Sequence, residues 1–372
     1  MTSVTNDFVP RPMEEVKKEL LGRAKENRNP FLYALYDETA PVIRGLKSVD
    51  REEWAAAFST LAVSHEERAA KAEAEGDTAA AREHSLIAYD YYHVARYPAP
   101  NSPGKLKAYR KSQENFWKAA RYFDPPVERV EMAFRARPGE GNVAVGLLRK
   151  PKGVEKPPVV IIWGGIDAFK EERPTEPYLR AGMATLCIDM PGVADAPLAG
   201  SEDGERLWDA ILDWVGQRRD LDAQRVGIIG GSTGGYWATK VAHTHRERIR
   251  AAVNHGGPAH HAFARDWIVK AQRGEYPFEL AETLACAFGR ASGEEWVEYS
   301  PRLSLLDQGI LERRCAPLLC VNGVNDSVFP IADMYLLLEH GDPKAARFLS
   351  GGHMGGGAAQ KIILSWLKEN LK

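Results

Sequence analysis

The pattern of hydrophobic and polar residues differs between two parts of the chain. Residues 1–124 carry apolar positions at helical spacing and almost no strand pattern. After the prolines at 125 and 126, short apolar runs alternate with amphipathic stretches. Strands that alternate with helices favour right-handed crossovers and a mostly parallel sheet covered on both faces. We therefore predict an all-helical N-terminal domain over 1–124 and an α/β domain over 125–372.

Three helices are predicted in the first part. One covers 50–75, because Asp50 and Glu53 stand at capping-box spacing and Gly76 follows the last turn. A second covers 78–96. A third covers 104–123, where six residues share one face at helical spacing, namely Leu106, Tyr109, Phe116, Trp117, Ala120 and Phe123. The simplest interpretation of this stripe is packing between helices.

The second part contains eight predicted strands, at 129–135, 142–148, 158–163, 184–189, 225–229, 251–254, 317–322 and 346–349. The stretch 257–316 is too long for a simple connection between two of them, and it contains helical patterns and aromatic residues. An insertion at that point would lie over the carboxyl edge of the sheet, where α/β proteins bind ligands. It is a candidate lid.

Charge and composition exclude several classes of partner. The chain has 49 lysine and arginine residues and 51 acidic residues, so it lacks the excess of basic residues that is typical of nucleic-acid-binding proteins. No apolar run is long enough to span a bilayer, and the first twenty residues do not resemble a secretory signal. The four cysteines lack CxxC or zinc-like spacing, namely Cys187, Cys286, Cys315 and Cys320. We expect reduced, mostly buried thiols in a cytoplasmic protein.

The stretch "GGSTGG" places Ser232 between a predicted strand and a predicted helix. This matches the G-x-S-x-G nucleophile elbow, in which a sharp turn presents the serine hydroxyl. A glycine-rich turn that binds phosphate, or that only packs closely, has the same local pattern. A dinucleotide site is disfavoured because G-x-G-x-x-G is absent.

Two further residues favour the nucleophile interpretation. A serine hydroxyl needs a base and donors for the oxyanion. Asp326 follows the strand at 317–322, and His353 lies in a glycine-flanked loop after the strand at 346–349. With Ser232 they have the Ser, Asp, His chain order of α/β-hydrolases, each after a separate strand. The predicted oxyanion donors are the backbone N–H groups of Thr233 and of Gly165 or Ile166.

Three histidines, His255, His260 and His261, cluster after the strand at 251–254. Two interpretations of these histidines are open. They line the pocket or form hydrogen bonds to the substrate, or they have an ordinary structural role. Their spacing does not match a helical metal pair, so neither a metal nor another cofactor is expected.

Several motifs together resemble one branch of the α/β-hydrolase superfamily. They are "GGIDAFKEE", "IDMPGVADAP", "GGSTGGYWATK", "NHGGPAHH", "NGVNDSVFP", "GGHMGGG" and the segment "FWKAARYFDPPVERVEMAF". The branch carries an N-terminal helical domain and includes the dihydropseudooxynicotine hydrolase-like, fungal polyketide-shortening hydrolase-like and fermentation-respiration switch protein-like groups. The chain departs from it at Ala194, where relatives often have glycine. The resemblance implies an α/β-hydrolase fold with a helical cap domain, often a homodimer, with Ser232 as nucleophile, Asp326 as acid and His353 as base.

The sequence thus predicts a serine hydrolase that attacks a carbonyl of a small or medium, partly apolar molecule. Some relatives in this branch cleave carbon–carbon bonds beside a ketone and others resemble esterases. The full-length resemblance tilts the expectation to C–C hydrolysis of a β-diketone-like substrate, with carboxylester hydrolysis as the alternative. A peptidase and a dehalogenase are disfavoured, and a noncatalytic binding protein on the same scaffold is the rival from another class.

Overall fold

The structure is a computed structural model that describes residue 8 and residues 10–372. The chain forms two compact units. One contains the residues up to Val127 together with Pro277–Glu279, and the other contains Glu128–Tyr276 and Leu280–Lys372. The division falls three residues after the predicted boundary, and it assigns a short piece of the predicted insertion to the first unit.

The described residues of the first unit form five helices. They are α1 (Met13–Lys25), α2 (Tyr36–Gly45), α3 (Arg51–Ala74), α4 (Thr78–Arg96) and α5 (Pro103–Ala120). Helix α3 begins where the sequence predicts, because the Asp50 carboxylate accepts hydrogen bonds from the N–H groups of Glu52 and Glu53, both at 3.0 Å. Helices α1 and α2 were not predicted from the sequence.

One residue of the predicted aromatic stripe lies elsewhere. Tyr109, Phe116 and Ala120 are buried on α5, but Leu106 is among the exposed large hydrophobic residues. The buried face runs through Lys105, Ala108 and Ser112, and Leu106 lies one residue, about 100° around the helix, from Lys105. The prediction for Leu106 was therefore wrong.

The segment Pro277–Glu279 packs within the first unit. The Phe278 ring lies 4.9 Å from the ring of Trp54, and Arg51 Nε donates to Glu279 Oε1 at 2.8 Å. Lys105 Nζ lies 3.7 Å from Glu279 Oε2, and burial lowers the pKa of Lys105 to about 8. An aromatic contact and a charged pair therefore hold this segment among the helices.

The second unit contains an eight-stranded sheet, as predicted. Its strands are β1 (Glu128–Ala133), β2 (Val143–Arg149), β3 (Pro158–Trp163), β4 (Ala184–Ile188), β5 (Asp222–Gly231), β6 (Ala251–His255), β7 (Leu318–Gly323) and β8 (Lys344–Leu349). The spatial order is β1-β2-β4-β3-β5-β6-β7-β8. β2 pairs antiparallel with β1 and β4, and the other neighbours pair in parallel. This confirms the predicted mostly parallel α/β-hydrolase sheet.

Burial along the strands follows their position in the sheet. Every residue of β3, β4, β6 and β7 is buried, as expected for parallel strands covered on both faces. The edge strand β1 alternates buried and exposed residues and carries charges. The flanking helices are α6 (Glu176–Arg180), α7 (Leu207–Gln217), α8 (Thr233–Thr244), α9 (Arg265–Ala271), α10 (Leu280–Ala287), α11 (Gly293–Tyr299), α12 (Ile331–Glu339) and α13 (Ala358–Asn370). Helices α9 to α11 lie within the predicted insertion.

Within the described part of the chain, no helix combines the length and apolar character needed to cross a bilayer. All four cysteines are free thiols. Cys187, Cys315 and Cys320 are buried, and Cys286 is exposed.

Candidate active site

Ser232 occupies the sharp turn between β5 and α8. Its backbone has φ 54° and ψ −132°, an uncommon conformation for a residue with a side chain. The turn is held on both sides, because the Ser232 N–H donates to the His255 carbonyl at 2.9 Å and the Ser232 carbonyl accepts from the Gly235 N–H at 2.7 Å. A side chain at Gly234 would collide with the Gly164 carbonyl. Strand, helix and glycines together hold the serine in its strained conformation.

The structure brings the three predicted catalytic residues together. His353 Nε2 lies 2.8 Å from Ser232 Oγ, and His353 Nδ1 lies 2.8 Å from Asp326 Oδ2. A carboxylate can only accept, so Nδ1 carries the proton and Nε2 is left to accept from the serine hydroxyl. This is the tautomer that a general base for Ser232 requires.

Asp326 is held from several sides in the loop after β7. Its Oδ1 accepts from the N–H groups of Val328 and Phe329 at 2.7 and 3.0 Å, and its Oδ2 accepts from Asn322 Nδ2 at 2.8 Å. Burial alone would raise the pKa of Asp326, but the charge and hydrogen bond of His353, with the other donors, lower it below the usual value. The carboxylate is therefore charged at neutral pH.

The pKa of His353 moves in the opposite direction. Burial would lower it, but the negative charge and hydrogen bond of Asp326 outweigh burial and raise the pKa above the ordinary value. The carboxylates of Glu275 and Asp167 add to this shift. The environment of the ring thus favours the imidazolium that would form when it accepts a proton.

The predicted oxyanion donors lie next to Ser232. A Cβ built on Gly165 would be 2.8 Å from Ser232 Cβ and 3.3 Å from Thr233 N, so the loop after β3 passes directly over the turn. Among the described residues, neither the Thr233 N–H nor the Ile166 N–H donates to a protein acceptor. Both N–H groups therefore lack an acceptor in the described part of the chain, as oxyanion donors require.

Glu275 is part of the site, although it was not predicted from the sequence. Its Oε1 accepts from the His353 N–H at 2.9 Å and from Ser327 Oγ at 3.1 Å, while the Glu275 N–H donates to Ser327 Oγ at 2.9 Å. The carboxylate therefore joins the loop that carries His353 to the loop that carries Asp326. A single glutamate in a long insertion gives no pattern from which this role could be predicted.

A buried charged cluster fixes the loop that follows the candidate oxyanion residues. Lys170 Nζ lies 2.8 Å from Asp189 Oδ2 and 2.6 Å from Asp195 Oδ2, and the Lys170 N–H donates to Asp189 Oδ1 at 2.9 Å. Burial raises the pKa of Asp189 to about 6, although Lys170 opposes the shift. The motifs "GGIDAFKEE" and "IDMPGVADAP" are thus joined through one lysine.

The three predicted histidines have protein partners. His255 is buried and its Nε2 lies 2.7 Å from the Met354 carbonyl, and burial lowers its pKa to about 4. His260 Nδ1 lies 2.7 Å from Ser304 Oγ. The N–H groups of His260 and His261 both donate to Asp333. None of the three lines the apolar pocket beside Thr233. In the described residues, no cluster of three His, Cys, Asp or Glu side chains is arranged to hold a metal.

Known proteins resemble this chain over most of its length. The family model described as Esterase FrsA-like matches residues 37–362. Esterase FrsA from Vibrio cholerae serotype O1 is 25% identical over 369 residues, which cover 97% of this chain and 84% of that protein.

Two solved structures resemble the whole chain. The crystal structure of 2,6-dihydroxy-pseudo-oxynicotine hydrolase matches with a TM-score of 0.75 and 22% identity, covering 92% of this chain and 95% of that one. The AbyA5 wild-type structure matches with a TM-score of 0.71 and 21% identity, covering 97% and 100%. At these identities the two structures support the fold, including its helical N-terminal region.

Proposed function

The chain belongs to the Esterase FrsA-like family of hydrolases, and from this premise we propose that it is a serine hydrolase whose nucleophile is Ser232. The observation that carries the proposal is the continuous chain of hydrogen bonds from Ser232 Oγ through His353 to Asp326, both at 2.8 Å. The strained turn at Ser232 and the free N–H groups of Thr233 and Ile166 are consistent with it.

The proposed reaction has two halves. Ser232 Oγ bonds to the substrate carbonyl carbon while its proton passes to His353 Nε2, and the oxyanion is held by the N–H groups of Thr233 and the loop at Gly165 and Ile166. The tetrahedral intermediate collapses, and His353 protonates the leaving group. A water then attacks the acyl-enzyme, its proton passes to His353, and a carboxylic acid is released as Ser232 recovers its proton.

Ester hydrolysis is the first candidate reaction. The relative from Vibrio cholerae is named an esterase, and an alkoxide is an ordinary leaving group for this chemistry. The expected substrate is a small or medium, partly apolar carbonyl compound, since an apolar pocket borders Thr233.

Cleavage of a carbon–carbon bond is the second candidate. Here the bonding electrons pass to the α-carbon of a 1,3-diketone, the second carbonyl stabilises them as an enolate, and His353 supplies the proton. The buried Thr233 hydroxyl, which has no partner among the described residues, favours this candidate because it can pair with a second oxygen.

A fluorophosphonate probe tests the proposal against a noncatalytic binding protein. We expect the probe to label the native chain at Ser232 and Ser232→Ala to abolish labelling. The same variant should lower ester hydrolysis by about 10⁴-fold or more. Ser350→Ala is the matched control, because Ser350 is an exposed serine in the loop after β8. A native chain that the probe does not label would contradict a catalytic role for Ser232. The predicted cap role of residues 1–124 and the predicted homodimer stay predictions.

A further inference from the structure

A narrow apolar pocket adjoins the candidate active site within the second unit. Thr233 follows the proposed nucleophile, and Val328 and Phe329 follow the carboxylate that orients His353. The Phe329 ring lies 5.7 Å from the His353 ring. The lining consists of Thr233, Tyr236, Pro258, Ala262, Phe263, Trp267, Ile268, Ala271, Gln272, Leu280, Leu284, Phe288, Trp296, Val328 and Phe329. The pocket therefore lies beside the candidate active site, and residues of the insertion form most of its lining.

A hydrogen bond joins the insertion to the loop that carries Asp326 at this pocket, and aromatic rings pack within the insertion itself. Trp267 Nε1 donates to the Val328 carbonyl at 2.9 Å, and the Phe288 and Trp296 rings pack at 4.9 Å. The open space between the walls is about that of one water molecule. A small group fits this space without movement of the lining residues, whereas a longer substrate arm requires the lining residues to move.

Two polar groups in this apolar lining have no partner. Thr233 Oγ1 and Trp296 Nε1 are both buried, and neither forms a hydrogen bond within the described part of the chain. Thr233 is the first residue of α8, so its hydroxyl has no carbonyl from a preceding helical turn to bind. A buried hydroxyl or indole N–H without a partner is unfavourable, and a ligand oxygen would satisfy it.

The position of the Thr233 hydroxyl limits which ligand oxygen it can reach. Thr233 N and Oγ1 belong to one residue and are separated by three bonds, about 3 Å. If the oxyanion lies about 3 Å from the N–H, an acceptor for the hydroxyl lies within a few Å of that oxyanion. In a 1,3-dicarbonyl compound the two oxygens have this spacing, whereas a simple ester has no second oxygen on its acyl arm.

We propose that Thr233 Oγ1 determines specificity by binding the second carbonyl oxygen of a 1,3-dicarbonyl substrate, a β-keto ester or a β-diketone. The inference rests on the proposed function, because it concerns the same site. Trp296 Nε1 supplies a further donor in the same lining. The backbone N–H of Thr233 and its side-chain hydroxyl thus act on two different oxygens of one substrate.

The test compares ethyl 3-oxobutanoate with ethyl butanoate, two esters that differ in the second oxygen. The rate of proton release gives kcat/KM for each ester. The ratio of the two kcat/KM values is compared among variants, because the higher intrinsic reactivity of the keto ester affects every variant equally. Thr233→Val removes the hydroxyl but keeps the backbone N–H and the branched shape. Thr233→Ser restores a hydroxyl. Thr185→Val is the matched control, because it removes another buried hydroxyl without a partner, on β4 and outside the pocket lining.

We expect Thr233→Val to lower the keto-ester to ester ratio at least tenfold, Thr233→Ser to recover most of it, and Thr185→Val to leave it unchanged. Equal losses on both esters in Thr233→Val would overturn the inference, since the hydroxyl would then act on folding or on the oxyanion alone. Unchanged activity on both esters would also overturn it, since the hydroxyl would then contribute to neither reaction. Labelling of Ser232 separates these results from failure of the proposed function. If the probe labels Ser232 and the ratio is unchanged, the proposed nucleophile stands and the role of the Thr233 hydroxyl is wrong. If the probe does not label the native chain, both proposals are wrong.

Discussion

Glu275 Oε1 accepts a hydrogen bond from the backbone N–H of His353 at 2.9 Å, although the two residues are 78 positions apart. The carboxylate holds the segment that carries the proposed base and adds negative charge that raises the pKa of His353. Glu275 is therefore a positioning residue with an electrostatic effect on the base.

Glu275→Gln separates the two roles. The amide oxygen can still accept from the His353 N–H, but the charge that raises the pKa of His353 is gone. The pKa of His353 should fall. Since the base acts in its neutral form, the acidic limb of the kcat/KM profile should move to lower pH. Steady-state hydrolysis of an aryl ester between pH 5 and 8 measures the shift.

Glu275→Ala removes the acceptor as well and should lower kcat about ten- to hundredfold, because misplacement of a catalytic group by a fraction of an ångström is costly. The control is Glu298→Gln, an exposed glutamate of the same insertion. If Glu275→Gln and Glu298→Gln give superimposable pH profiles, the electrostatic role is wrong.

Gly165→Ala should damage catalysis without unfolding the protein. The added Cβ would lie 2.8 Å from Ser232 Cβ and 3.0 Å from Ser232 Oγ, so the proposed oxyanion loop or the serine must shift. Displacing one oxyanion donor lowers kcat by about 10² or more. Gly216→Ala is the matched control, because no atom lies within 4 Å of its Cβ position on α7. Measurement of kcat and of the thermal midpoint for both variants checks this, and equal activity of the two would contradict the assigned loop.

The strands and the three catalytic candidates could be predicted from the sequence for related physical reasons. β3 and β7 are continuous apolar runs, which a parallel sheet covered on both faces requires. Ser232, Asp326 and His353 each follow a strand of that sheet. The carboxyl ends of parallel strands share one edge, so the chain order alone placed the three residues together before any distance was known.

Other parts of the site and of the fold could not be predicted, because they depend on contacts between segments without local periodicity. Glu275 lies in an insertion, where no spacing rule relates it to His353. Lys170 contacts Asp189 across 19 residues, and both look like ordinary surface charges in the sequence. Helix α2 contains Pro41, which in the sequence is typical of a break in a helix.

Lys170→Met should destabilise the fold strongly. The substitution leaves the buried Asp189 carboxylate, and the Asp195 carboxylate beside it, without their cation. Removing one partner of a buried charged pair costs about 3–5 kcal/mol. Urea unfolding at pH 7 measures the loss in the free energy of unfolding. The double variant Lys170→Met with Asp189→Asn should recover part of it, and strictly additive losses would contradict this account.

Two buried histidines should make the protein less stable as the pH falls. Burial lowers the pKa of His243 and of His255 to about 4 each, while the unfolded chain takes up protons at these residues near pH 6.5. Because the folded pKa is the lower one, the stabilisation is complete above about pH 6.5 and is lost as the pH falls toward about 4, at a limiting slope of ~1.4 kcal/mol per pH unit for each residue. His353 contributes in the opposite direction, since its folded pKa is raised.

His255→Gln tests this assignment, because the glutamine amide can still donate to the Met354 carbonyl while it takes up no proton. The free energy of unfolding should be measured with urea between pH 7 and pH 5.5, above the range in which most carboxylates of the unfolded chain titrate. The variant should lose less stability than the native chain over that interval, so the two curves converge as the pH falls. Parallel curves would mean that His255 does not change its protonation on unfolding, and the buried neutral imidazole beneath the Ser232 turn would then not be a source of acid sensitivity.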